Sequence, residues 1–146
     1  MQPKKCLYEQ DFYAWGKVQL SLLESQKFTS LDLPNLIQEF ESVVRREKNE
    51  LKSKLALLIM HLLKWKYQPE FRSKSWENTI SFCRDDLQEL LKDSPSLENE
   101  IDNCWEDSYK RSKKEAKKET GLLREFPEKC PFNRKEALDE NWMPEE

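Results

Sequence analysis

Residues 33–66 read LPNLIQEFESVVRREKNELKSKLALLIMHLLKWK, and past Pro34 neither proline nor glycine interrupts them. At about 1.5 Å per residue a helix of this length is a rod of roughly 50 Å, the spine around which the rest must be arranged. Ile37, Val44, Leu51, Leu58 and Trp65 recur every seven residues along one seam. Phe40, Glu47, Lys54 and His61 form a companion seam, flanked by Leu36, Val43, Leu55 and Leu62. The apolar stripe is broad at both ends and pinched across residues 45–50 (RREKNE), where the helix either bends or faces water. Asp32 is placed to cap its start, with Pro34 tolerated in the first turn. Pro69 disfavours helix at Gln68, so the spine should end near Tyr67.

Outward from the spine the same periodicity continues. Residues 10–24 carry Phe12, Trp15, Gln19, Leu22 and Leu23 at three- and four-residue spacing, a first helix weakened by about 1 kcal/mol at Gly16 relative to alanine. Ser73 or Ser75 can cap a helix over residues 75–92, whose stripe is Trp76, Ile80, Cys83, Leu87, Leu90 and Leu91. Ser94-Pro95-Ser96 opens a fourth helix to Thr120, with Gly121 just beyond its end. Along its buried face Leu97, Ile101, Cys104 and Trp105 give way to Ser108, Ser112 and Ala116, so a neighbour can approach closely there. The segment 121–146 has three prolines, Phe126, Phe132, Leu138 and Trp142, which predicts extended chain wrapping the bundle around a short helix near residues 133–139 capped by Asn133. The expectation is one all-α domain over residues 1–146, a bundle of four main helices with an irregular C-terminal wrap.

Composition agrees. In 146 residues the hydrophobic share is 37% against 36% charged, so the core must come from faces of amphipathic elements. Five tryptophans, seven phenylalanines and four tyrosines supply large buried area, which favours a folded chain despite a mean hydropathy of -0.93. Two glycines, Gly16 and Gly121, are too few for a hairpin-rich β fold. Cys6, Cys83, Cys104 and Cys130 never form a C-x-x-C pair, so zinc-ribbon and thioredoxin spacings are missing and free thiols are expected. No apolar stretch follows the lysines of MQPKKCLYEQDF, and residues 55–63, the longest apolar run, are interrupted by His61. A cytoplasmic location is therefore expected.

Charge is polarised along the chain. Residues 43–74 hold nine Lys/Arg against three acids, residues 75–109 two against ten, and residues 110–118 six against one. Antiparallel helices pairing these blocks across solvated faces is the plain explanation. The functional one is a basic surface for nucleic acid made of Arg45, Arg46, Lys48, Lys52, Lys110, Arg111, Lys113 and Lys114, within the patches 45–54 and 110–118. A net charge of -3 argues against tight nonspecific duplex binding, and no helix-turn-helix spacing, C2H2 pattern or RNP-type aromatic motif supports it.

His61, the single histidine, is the natural candidate for acid/base chemistry. Glu47, Lys54 and His61 lie about 10.5 Å apart in succession, too far to share one metal, and a Glu-x-x-His di-iron signature would need Glu at position 58, which is leucine. No metal or cofactor is expected. Glu39 with Glu41 and Asp85 with Asp86 are pairs that do not share a helix face. No G-x-S-x-G elbow or P-loop occurs. The sharper candidate is the cluster at the end of the spine, His61, Lys64, Trp65, Tyr67, Arg72, Ser75 and Trp76, in which hydrogen-bond donors meet aromatic faces. The competing explanation is structural: the tryptophans as core, Ser75 as a cap, and Arg72 on the carbonyls at the end of the spine.

The strings LYEQDFYAW, HLLKWKYQPEFRSKSWENTI, LLKDSPSL, ETGL, FPEKCPF and ALDENWMPE follow one another between Leu7 and Glu145. In this order the chain resembles a bacterial, largely cyanobacterial, domain-of-unknown-function family, number twenty-nine. The most specific part is HLLKW, QPE, RS and SW, at residues 61–65, 68–70, 72–73 and 75–76. The resemblance implies a compact helical fold and no particular activity; where the family often has a larger side chain, this chain has Gly16.

These features together point to a non-catalytic helical binding or interaction module of the bacterial cytoplasm, with a protein as partner and a second copy of the chain among the candidates through the long seam. The alternatives are a nucleic-acid-associated or regulatory protein using the basic patches, and an enzyme centred on His61, Arg72 and Trp76.

Overall fold

The computed structural model describes residues 5–121 and 126–145. The predicted behaviour of the ends of the chain and of the wrap at residues 122–125 and 146 lies outside them. The fold is all-α, with no strand among the described residues. Its helices are α1 (Leu7–Gln10), α2 (Phe12–Glu24), α3 (Leu33–Tyr67), α4 (Lys74–Asp93), α5 (Ile101–Thr120) and α6 (Arg134–Leu138). Contacts gather into two compact units, residues 1–45 and 46–146, to which α3 contributes its two parts; the sequence reading treated the chain as one domain.

In the second unit the core is Leu51, Leu55, Leu58, Ile59, Leu62 and Leu63 of α3 against Ile80, Cys83 and Leu87 of α4 and Ile101 and Cys104 of α5. Neighbouring charges give the directions of the helices. Lys48 pairs with Glu100 at 3.3 Å, Lys52 with Asp107 at 3.5 Å and Lys64 with Glu119 at 2.9 Å, so α5 runs parallel to α3. Lys54 pairs with Asp86 at 2.7 Å and Ser94 donates to Glu47, so α4 runs antiparallel. The expected block pairing therefore occurs, though one of the two neighbours is parallel. Close approach follows from the small residues of α5: buried Ser108 donates to the carbonyl of Lys52 at 3.1 Å.

The C-terminal segment lies on this bundle. Phe126 and Phe132 are buried, Trp142 is half-buried with its ring 5.5 Å from that of Phe132, and the Tyr109 hydroxyl donates to the carbonyl of Pro127. Asn133 and Glu136 cap α6 reciprocally, each side chain accepting from the other's backbone N–H.

Among the described residues of the first unit, Trp15 and Gln19 are buried. Trp15 Nε1 donates to Asp32 at 2.9 Å, and the backbone N–H of Asp32 donates to the Gln19 amide oxygen at 2.8 Å. Tyr8, Phe12 and Trp15 stack edge to face or tilted, and the Tyr8 hydroxyl donates to Glu39.

Several boundaries differ from expectation. The first helix is split, because Asp11 is extended and accepts from Ala14 N–H as the cap of α2; Gly16 does not disturb α2. Phe12 and Leu23, expected inward, are 54% and 43% exposed. Ser73, not Ser75, caps α4, accepting from Trp76 N–H at 3.2 Å. The predicted helix over 95–120 begins as a 3-10 turn over Pro95–Glu100, and α5 follows without a side-chain cap, the Ser94 hydroxyl being taken by Glu47. Gly121 terminates α5 in the left-handed conformation, φ 64°, its N–H donating to Lys117.

Candidate functional site

Two places gather candidate functional side chains, one in each unit. The first is the turn from α3 to α4, where the sequence placed its binding cluster. Tyr67 ends α3, Pro69–Phe71 forms a 3-10 turn, and Ser73 starts α4. The turn folds Arg72 back on the helix it has just left: Nε donates to the carbonyl of Trp65 at 2.7 Å, and the guanidinium lies 5.1 Å from the centre of the Trp65 ring. Lys64 sits 5.0 Å above the ring of Trp76 while bonding Glu119 of α5. His61 is half-buried, and its imidazole is held below the ordinary range first by burial and then by the Lys64 charge, which Glu119 partly offsets. Tyr67 packs edge-on against Phe126.

The turn thus holds two separate cation–ring pairs, Arg72 on Trp65 and Lys64 on Trp76, with the Lys64 and Glu119 charges also acting on His61. Ser75 is exposed and stands apart. Chemically the cluster is a packed joint. Arg72 Nη2 is shut off from solvent and has no acceptor among the described protein atoms, and no group of three or more His, Cys, Asp or Glu among the described residues could hold a metal.

Most of the basic residues have partners on their own or a neighbouring helix. Lys48 and Lys52 are neutralised by Glu100 and Asp107, Arg111 donates to Ser53 at 3.0 Å, Lys110 faces Glu106, and Lys113 lies over the Tyr109 ring at 4.8 Å. Arg46 and Lys114 are exposed, and Arg45 belongs to the second place.

That second place is the outer face of α3 in the first unit. Leu36, Ile37, Phe40, Glu41, Val44 and Arg45 line a shallow, open groove along one side of α3. Leu33, Ile37, Phe40 and Val44 are 52%, 56%, 71% and 60% exposed, although the hydrophobic seam to which Ile37 and Val44 belong becomes core at Leu51 and Leu58. The sequence signalled these side chains as apolar at heptad spacing, but the signal is the same for a covered and an uncovered seam. The sequence therefore named the long seam as a candidate contact surface without indicating that residues 33–45 are its uncovered end.

The profile described as Domain of unknown function DUF29 matches residues 7–143. The chain belongs to the DUF29 family. No curated protein and no solved structure is significantly similar to it. Both the cation–aromatic joint and the open α3 groove fall within the stretch matched by DUF29, and the family description assigns no activity to either. No helix among the described residues of this DUF29 chain is long and apolar enough to cross a membrane.

Proposed function

We propose that this DUF29 chain is a non-catalytic helical interaction module of the bacterial cytoplasm whose partner surface is the outer face of α3 over residues 33–45. The observation that carries the reading is the groove at Ile37, Phe40 and Val44, side chains more than half exposed on a regular helix. Scattered apolar residues on a surface are ordinary; a contiguous apolar groove marks a place where another surface docks. A photo-crosslinking amino acid at position 40 in the native cell is expected to form a covalent adduct with protein, and one at exposed Lys118 is not. Absence of any adduct at positions 37 and 40 would remove the reading.

Two other readings have less behind them. A nucleic-acid surface needs clustered free cations, and the ion pairs of Lys48, Lys52 and Lys110 tie up much of the charge. An enzyme at His61, Arg72 and Trp76 needs substrate to reach donors that here are half-buried or, at Arg72 Nη2, closed off.

A further inference from the structure

We propose that the C-terminal segment, residues 126–145, is a built-in ligand: it fills a peptide-binding groove on the second unit and undocks from it as one piece while the helices stay folded. The inference is independent of the α3 groove, which belongs to the first unit.

The segment is held by side chains and not by backbone. Among the described residues no backbone–backbone hydrogen bond joins it to α3, α4 or α5. Instead the helices offer side-chain donors to its carbonyls: Tyr109 of α5 to Pro127, Arg84 of α4 to Ala137 and Trp142 at 2.8 and 2.7 Å, and Lys66 of α3 to Glu145 at 2.8 Å. A surface that reads main-chain carbonyls and buries side chains at intervals, here Phe126, Phe132 and Pro144, is organised as peptide-recognition clefts are.

The internal structure of the segment is self-contained. Asn133 and Glu136 cap α6 within it, the Ala137 N–H donates to Asn133 and the Trp142 N–H to Asp139, and the Phe132 and Trp142 rings pack on each other. Lifting it therefore breaks side-chain bonds and buried contacts but no turn of helix on either side.

The floor beneath it is built for water as well as for chain. Arg84 is 2% exposed, and both of its bonds to the segment end on carbonyls, not on carboxylates. A guanidinium buried against neutral acceptors keeps a desolvation cost, which is returned when the segment lifts and water reaches it. An apolar side chain here would favour permanent closure; the cation eases opening and leaves a polar group in the opened groove. The partner that this groove fits is a peptide of another protein with two aromatic anchors and, like residues 126–145, carbonyls open to the three donors.

Hydrogen exchange on the purified wild-type chain reads the undocking. The amides of Ala137, Asp139 and Trp142 should share one level of protection, about hundredfold or more above an unfolded peptide and about hundredfold or more below the slowest amides of α3. Protection equal to that of α3 would mean that the segment leaves only in global unfolding, and absent or unrelated protection at the three amides would mean that it frays; any of these overturns the proposal. A second measurement supplies the ligand in trans. The full chain carrying Phe132→Asp with Trp142→Asp no longer docks its own segment. A labelled peptide of residues 126–145 is expected to bind it about hundredfold more tightly than it binds the wild-type chain, where the tethered segment competes at millimolar effective concentration. Adding Arg84→Met to that variant should weaken the peptide by about tenfold or more. Equal binding to variant and wild type, a helical variant that leaves the peptide unbound, or a peptide indifferent to Arg84→Met overturns the groove. A variant that loses its helical circular dichroism shows that the bundle does not stand without the segment, and overturns the proposal as a whole.

Discussion

His61 illustrates how burial changes what a residue can do. It sits half-buried on α3 between buried Met60 and Leu62, with Lys64 one turn on, and burial and the Lys64 charge both disfavour the imidazolium. Its folded pKa thus lies below the 6.5 of an unfolded chain. As pH falls through 6.5 the unfolded state takes up the proton first, so folding stability declines from there down through the folded pKa and levels off below it. Urea unfolding between pH 7.5 and 5 should show this slope, and His61→Gln should flatten it; an identical slope in the variant would mean that His61 is not its source. Cys130 belongs to the same scale: its thiol is pushed up to about 11, first by burial, so it is protonated at neutral pH. At Arg72 the sequence offered two uses for one guanidinium, ligand donor or helix terminator, and the 2.7 Å bond to Trp65 is the second.

Among the elements, α2 was the least secure in the sequence because of Gly16, yet it forms a regular helix over Phe12–Glu24. A Cβ added at Gly16 would meet nothing within 4 Å. Gly16→Ala should accordingly raise stability by about 0.5–1 kcal/mol, the backbone freedom that glycine gives up in a helix. Gly121→Ala should do the opposite by about 1 kcal/mol, since only glycine takes the left-handed region without cost. Urea midpoints of the two variants check both signs, and a destabilised Gly16→Ala would contradict the open space at that site. Helix ends were legible where a side chain makes the cap, as at Ser73 and Asn133. The 3-10 turn at Pro95–Glu100 was not legible, because α and 3-10 geometry share the same start signals and differ in packing.

For the molecule as a whole, a buried cation of α4 ties the C-terminal segment to the helices of the second unit. Arg84, 2% exposed, donates through Nε to the carbonyl of Ala137 at 2.8 Å and through Nη2 to that of Trp142 at 2.7 Å. Arg84→Met fills similar space but leaves two carbonyls without donors, at a cost of about 2–4 kcal/mol. Urea unfolding should register that loss, and trypsin should cut at Lys129, Arg134 or Lys135 before the helices of the bundle. A variant as stable and as resistant as the wild type would show that the aromatic anchors Phe126 and Phe132 suffice. The four ion pairs from α3 toward the following helices are partly solvated and contribute about 0–1 kcal/mol each, so they set direction more than stability.

Periodicity and punctuation decided the helical class, the length of α3 to within a residue, the cap at Asn133 and the left-handed stop at Gly121, because each is a local property of a few neighbouring side chains. Tertiary structure alone decided which end of the α3 seam is covered. Leu51 and Leu58 are wholly buried, while Ile37 and Val44, of the same type and register, face outward. Hydrophobicity states what a side chain would gain by leaving water; whether it does so depends on what else in three dimensions arrives to cover it.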